Sequence, residues 1–307
     1  MRIVFFGTTS YSAIMLRSIV EAGYKISLTV TLPDRPSRRG HRPSPTPVKK
    51  FAKSEGIPVF EAADLKSPEL VSAIEAADAK LGVVVAFKIL PRKVFTAPEL
   101  GTVNVHPSLL PKLRGPAPLR WALIRGLEET GITTFLLDDR PDTGDIIMQR
   151  RVKIGPEENY GELCRKMGPL SGELLLETLN TLATGEYELR PQDPEKATKA
   201  PKITQGICQI DWEESAEELH NLIRGLSPRP GAFCRIGDKR VKILKSRIVG
   251  DSGRPGEVLY AEPGEGLVIA CGRGAVRILR IQCAGKCAMD AASFLCGFSL
   301  QKGDIVS

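Results

Sequence analysis

Two short apolar runs near the start do most to limit what this chain can become: RIVFFG, ending at Gly7, and KISLTVTL, beginning at Lys25, separated by an amphipathic stretch reaching about Val20. Apolar runs of this length read as buried strands, and a helix-period segment between them opens a βαβ unit. The pattern recurs in GVVVAF and GTVNVH, with helix-like segments such as 68–77 between the runs. Near-continuous apolar strands alternating with helices predict a doubly wound, mostly parallel Rossmann-like sheet. TGITTFLLD alternates more and reads as a strand nearer the sheet edge. IIMQRRVKI reads as another strand, followed by a long helical pattern from about Asn159 to Leu182.

The chain has 307 residues, beyond the roughly 250–300 at which single cores stop growing, so two domains are expected. A polar stretch with scattered Pro and Gly, 185–205, reads as a linker between a catalytic domain at 1–184 and a smaller domain at 206–307. In the second part QIDWEESAEELHNLIRGL has helical period. AFCRIG, RVKILKSRIV, GEVLYAE, GLVIACG and AVRILRIQC follow as short strands punctuated by Gly, the pattern of an OB-like β-barrel. No run approaches the roughly 18 apolar residues of a membrane span, and the first apolar stretch is too short for a secretory signal, so a cytoplasmic protein is expected. The seven cysteines form no C-x-x-C pair and no zinc-finger spacing with His, so neither disulfide nor metal is expected.

The net charge of +7 is unevenly spread. Between Arg35 and Lys50 stand six basic residues and no acid, and between Arg224 and Arg247 eight against Asp238 alone. Such clusters suit an anionic partner. Three histidines occur in the whole chain, and one of them, His106, lies two residues after Asn104 at the end of GTVNVH. The period of a strand puts both side chains on one side, at the carboxyl end where open α/β sheets bind ligands. An imidazole exchanges protons near neutral pH, and an amide holds an oxyanion without titrating. A third member is expected from LLDDRPDTGDII. Asp142, before Thr-Gly, is placed in a tight turn from which its carboxylate can orient the ring and relay a proton. Asp138, Asp139 and Asp145 are candidates on charge alone, and spacing does not choose among the four. A nicotinamide oxidoreductase is disfavoured, because GTTSYS has one glycine where the dinucleotide fingerprint needs three.

NVHPSLLPKLRGPAP followed by DTGDII resembles the core of the folate-dependent formyltransferases. GTTSYS, PDRPSRRG, PTPVKK, VVVAFKILP, QIDW and AGKCAM extend the likeness over nearly the whole chain, towards the branch that acts on aminoacylated tRNA. The resemblance implies transfer of the formyl group of 10-formyltetrahydrofolate to the α-amino group of methionyl-initiator tRNA by a metal-free monomer. By the same resemblance Asn104, His106 and Asp142 are the catalytic trio, and Ser108, Leu109, Leu110 and Pro111 form the folate-binding segment. The tRNA-contacting loop falls on 34–47, with Arg35, Arg38, Arg39 and Arg42, and Lys242 and Lys245 join it from the second basic cluster. The competing readings are a formyltransferase for another amine such as an amino sugar nucleotide, a formyl-folate hydrolase, and a non-catalytic nucleic-acid-binding protein.

Overall fold

Strand β1 (Arg2–Gly7) is buried from Ile3 onward because a strand lies on each side of it and helices cover the sheet. In the computed structural model, which describes residues 1–36, 43–263 and 266–307, β1 is the third strand of a seven-stranded sheet. Helix α1 (Ser10–Glu21) follows, started by a capping box of Thr9 and Ser12, and buries Met15, Leu16 and Ile19. Strand β2 (Lys25–Thr31) pairs parallel to β1. The two-residue strands β3 (Arg35–Pro36) and β4 (Pro43–Ser44) pair with one another. Thr46 caps α2 (Pro47–Ser54), which carries proline in its first turn, where no backbone donor is needed. Strand β5 (Val59–Glu61), helix α3 (Pro68–Ala76), strand β6 (Leu81–Val85), helix α4 (Arg92–Phe95) and strand β7 (Thr102–His106) complete the parallel part.

After α5 (Pro118–Ile124) the chain enters β8 (Glu129–Leu136), β9 (Ile146–Lys153) and α6 (Tyr160–Thr184). The strand order is β5-β2-β1-β6-β7-β8-β9, parallel from β5 to β7 and antiparallel between β7 and β8. Strand β8 is next to the edge, yet Thr130–Phe135 are all buried. Thr134 hydrogen-bonds Thr178 of α6 at 2.8 Å, which satisfies a hydroxyl that full burial would otherwise penalise.

A second set of elements begins with α7 (Ala216–Leu226), started by a capping box of Ser215 and Glu218. Strands β10 (Ala232–Ile236), β11 (Lys239–Val249), β12 (Val258–Glu262), β13 (Gly266–Ala270) and β14 (Ala275–Cys283) form an antiparallel OB-like sheet in the order β10-β11-β14-β13-β12. The short β15 (Met289–Asp290) adds to β14 and leads into α8 (Ala291–Leu295). Its core contains Ile223, Leu226, Val241, Ile243, Ile269, Val276, Ile278 and Ile281.

The chain divides into two compact units. One comprises Met1–Gly115, Thr130–Val152 and Cys164–Lys199, and the other Pro116–Glu129, Lys153–Leu163 and Ala200–Ser307. Residues 185–199, polar and without a fully buried member, belong to the first unit. Among the described residues no helix is long and apolar enough to cross a membrane. Cys208, Cys234 and Cys271 are buried free thiols, and burial pushes Cys234 up to about 12 and Cys271 up to about 11.

Candidate active site

Strand β7 ends in the first unit with Asn104 half-buried and His106 buried. Its neighbour β6, in register Val84 to Asn104, ends beside it in the loop Ala86–Leu90. His106 Nε2 is 3.1 Å from the Leu113 carbonyl oxygen. A carbonyl only accepts, so Nε2 carries the proton and is committed to the backbone. Nδ1 is left for chemistry, and it lies 3.7 Å from Oδ1 of Asp142. That separation is too long for a hydrogen bond and short enough for a polar atom of a substrate to be shared between the two groups.

Asp142 is held from two directions. Its Oδ2 accepts from the Gly115 N–H at 2.8 Å, and its backbone sits in the left-handed region at φ +60°. Leu113, whose carbonyl fixes His106, is left-handed as well, at φ +61°. Non-glycine residues in that region cost roughly 1–3 kcal/mol each and persist where the surroundings over-determine them. The loop also requires Gly144, since a Cβ there would fall 1.7 Å from the Leu136 carbonyl oxygen.

The other three aspartates of this loop make different contacts, Asp145 through its backbone. Asp138 accepts from Thr143 Oγ1 and from the Arg140 N–H, closing the turn on itself. Asp139 pairs with Arg92, and the Asp145 carbonyl accepts from the Leu136 N–H. Only Asp142 of the four has an ion pair with His106 among the described residues.

In the segment 108–111, Ser108 and Leu110 are fully buried, whereas Leu109 and Pro111 are half-buried. Leu110 packs with Phe135 and Ile146, and Leu109 covers Gly131, where a Cβ would meet its Cδ2 at 2.3 Å. The peptide bond between Leu110 and Pro111 is cis. The segment is anchored by one hydroxyl: Thr133 Oγ1 donates to the Ser108 carbonyl at 2.6 Å and accepts from the Leu110 N–H at 3.1 Å and from Gln149 Nε2 at 2.9 Å. Gln149 Nε2 also donates to the Leu110 carbonyl at 2.8 Å. Nothing in the sequence pattern pointed to Leu113, Gly115, Thr133 or Gln149, which act through backbone groups or from a neighbouring strand.

A cavity of about 560 Å³ opens at the same end of the sheet, lined by Thr8, Thr9, Leu32, Pro33, 44–47 and 86–88. Thr8, one of the lining residues, has its Oγ1 buried without a hydrogen-bond partner among the described residues. Exposed Lys88 and Ile89, the latter 76 % accessible, extend this wall with a cation and an apolar surface. These groups suit a flat heterocycle with an anionic tail such as a folate. Beside the cavity, Lys49 bridges Asp34 at 2.7 Å and Glu61 at 2.8 Å, and the hydrogen bonds its ammonium donates to these two carboxylates hold it above the ordinary lysine value.

Of the expected tRNA-contacting residues, Arg38, Arg39 and Arg42 lie outside the described residues, and Arg35 is described by its backbone on β3 alone. Lys242 is half-buried on β11 and lines a surface cavity with Arg240 and Gln282. Lys245 is exposed on the same strand beside Arg280 of β14. Arg240 stacks on Phe233, 3.5 Å from the ring centroid, which adds a fixed cation to this face. Among the described residues no group of three or more His, Cys, Asp or Glu is arranged to hold a metal ion.

Residues 1–179 match the family model "Formyl transferase" and residues 202–299 the model "Formyl transferase, C-terminal domain". A methionyl-tRNA formyltransferase of Citrifermentans bemidjiense is 40% identical, covering 100% of this chain and 96% of that protein. Another of Porphyromonas gingivalis is 38% identical, with 98% and 96% covered. Among solved structures, HypX from Aquifex aeolicus in complex with tetrahydrofolic acid superposes with a TM-score of 0.67 at 21% identity, over 100% of this chain and 50% of that one. This chain thus spans about half the length of HypX. The N-formyltransferase from Helicobacter canadensis in complex with folinic acid and dTDP-3-aminofucose gives 0.67 at 19% identity, over 90% and 97%. At these identities the two structures establish a shared fold.

Proposed function

The chain belongs to the formyl transferase family, and from that premise we propose that it transfers the formyl group of 10-formyltetrahydrofolate to the α-amino group of methionyl-initiator tRNA, giving the formylated initiator of translation. Asn104, His106 and Asp142 form its chemical centre. The observation that carries this reading is the meeting of a strand-end imidazole with a loop carboxylate, Nδ1 to Oδ1 3.7 Å, beside a half-buried carboxamide.

The donor supplies an electrophilic formyl carbon, and the attacking α-amine, with a pKa of about 8, reaches its neutral form near physiological pH. The protein's work is therefore to stabilise developing charge and to move one proton. The Asn104 amide and a protonated His106 Nδ1 donate to the oxyanion, a preorganised pair at the place where charge develops. Because Nε2 stays bonded to the Leu113 carbonyl, the ring does not turn during this step. Asp142, across the gap from Nδ1, accepts the proton of the attacking amine and passes it towards the departing folate nitrogen. Leu109 and Pro111, with the exposed wall at Lys88 and Ile89, hold the donor. Ser108 and Leu110 act by shaping that segment from within, since their side chains are buried.

Substrate choice lies elsewhere. Residues 1–184 carry the chemistry and 206–307 grip the tRNA body, with 185–205 between them. Phosphate contacts supply affinity that falls with salt, the role we assign to Lys242 and Lys245 together with Arg35, Arg38 and Arg42. Arg39 reads the acceptor end. The working unit is a cytoplasmic monomer, which sedimentation equilibrium tests.

The decisive experiment measures transfer of labelled formyl from the donor to charged initiator tRNA, with an amino sugar nucleotide as the competing acceptor. Asn104→Ala, His106→Ala and Asp142→Asn each lower turnover at least ~100-fold. Lys242→Ala and Lys245→Ala each weaken tRNA binding and flatten its salt dependence. Full turnover in any of the first three removes that residue from the centre, and transfer to the sugar alone removes the tRNA reading.

A further inference from the structure

Gln192 lies in the polar stretch after α6, 50 residues along the chain from Asp142, and makes four hydrogen bonds, all to the loops that build the site. Its Nε2 donates to the Asp142 carbonyl at 3.1 Å and to the Gly144 carbonyl at 2.8 Å. Its Oε1 accepts from Arg114 Nε at 3.1 Å and Nη2 at 2.7 Å. The orientation of the amide is fixed by its partners. Turned over, it would set Oε1 against two carbonyls and Nε2 against a guanidinium that only donates.

Arg114 stands between the two backbone groups on which the site depends, the Leu113 carbonyl that holds His106 and the Gly115 N–H that holds Asp142. Gln192 thus closes a ring of contacts running from His106 through 113–115 to its own amide, and from there to 142–144 and back to His106. The same stretch supplies a second tie, because Thr198 Oγ1 accepts from the Leu113 N–H at 2.9 Å and its carbonyl accepts from the Arg114 N–H at 2.8 Å. Burial pulls the Arg114 guanidinium below its ordinary value while Asp142 opposes that change.

We propose that Gln192 is a positioning residue for formyl transfer: through its two donor bonds it fixes the left-handed Asp142 at its distance from His106 Nδ1, and Arg114 fixes Gln192. The inference rests on the assignment of Asp142 to the chemical centre. The Gln192 amide is engaged by Arg114, Asp142 and Gly144, so a residue acting through them lowers kcat on its loss and leaves binding in place.

Two variants test it on the full-length enzyme. Gln192→Met keeps length and removes all four bonds. Gln192→Glu keeps the acceptor for Arg114 and loses both donors to the loop, so it tests the loop contacts even where the first variant melts early. In each, kcat for labelled formyl transfer to charged initiator tRNA falls at least ~10-fold, with KM for donor and tRNA within about twofold. In an Asp142→Asn background measured by single turnover, the further change is under about twofold, because a residue acting through Asp142 has nothing left to position. Wild-type kcat in the Glu variant, a loss expressed in KM alone, or a full additional loss in the Asp142→Asn background overturns the proposal. An Asp142→Asn enzyme of normal activity would instead overturn the assignment of the centre itself.

Discussion

Thr133 is a severe place to remove one atom. Its hydroxyl, fully buried on β8, has one proton to give and two lone pairs, and all three are used: the proton by the Ser108 carbonyl, the lone pairs by the Leu110 N–H and Gln149 Nε2. Thr133→Val replaces the hydroxyl with a methyl of similar shape, leaving the Leu110 N–H without a partner and the Ser108 carbonyl without this donor. An unsatisfied buried donor costs about 1–3 kcal/mol and a lost neutral hydrogen bond about 1 kcal/mol, so the variant should lose about 2–4 kcal/mol. At about 2–4 °C per kcal/mol for a unit of 150–250 residues, melting followed by circular dichroism should fall by roughly 4–16 °C. Thr133→Ser keeps the hydroxyl and loses one methyl, a change of about 1 kcal/mol, and should melt clearly above the Val variant. The anchored segment carries the two half-buried residues assigned to the folate donor, so the Val variant should also raise KM for the donor more than KM for tRNA. Val and Ser variants that melt within about 1 °C of each other would refute the hub, and a raised KM for tRNA alone would refute its link to the donor.

Two further outcomes follow from the same geometry. Gly144→Ala puts a Cβ 1.7 Å from a backbone oxygen, so the loop carrying Asp142 must move and turnover should fall at least tenfold, while the circular dichroism spectrum stays that of the native sheet; near-normal turnover would contradict the fit. Burial holds the His220 imidazole below its ordinary value, with Glu157 opposing, so the folded state refuses a proton that the unfolded chain binds from about pH 6.5 downward. Stability should therefore decline as pH falls through that window, and His220→Gln should narrow the gap between urea midpoints at pH 7.5 and 5.5; an unchanged gap would show that His220 does not set it.

The strands were legible where burial is symmetric. RIVFFG, KISLTVTL and GVVVAF form parallel strands covered on both faces, so their apolar runs are continuous and unmistakable. The placement of Asn104 and His106 at a strand end was legible for the same reason, since they interrupt such a run at its carboxyl end. The carboxylate was legible as a set of four and not as one residue, because spacing says nothing about which side chain a folded-back loop presents. What separates Asp142 from Asp138, Asp139 and Asp145 is a left-handed backbone and an amide at Gly115, both products of tertiary structure. The stretch 185–205 illustrates the converse. Its polar composition suits a linker, yet residues 190–198 bond Ile146, Arg114, Asp142, Gly144, Leu113 and Pro111, through the side chains of Gln192 and Thr198 and the backbone of Arg190 and Thr198, pairings that composition does not reveal.

That stretch also explains how the site keeps its shape. No residue of 185–199 is fully buried, so apolar burial contributes little to its order and hydrogen bonds of about 1 kcal/mol each add to it. Leu113 and Asp142, for their part, sit in conformations that cost about 1–3 kcal/mol each and would relax if released. Bonds from Gln192 and Thr198 hold the two strained residues, and these, with Arg114, Gly144, Ile146 and Pro111, in turn give the stretch its partners. The geometry around Asp142 is therefore a joint property of 113–115, 142–144 and 190–198, and if Asp142 serves the proposed reaction, a substitution in the polar stretch should lower turnover.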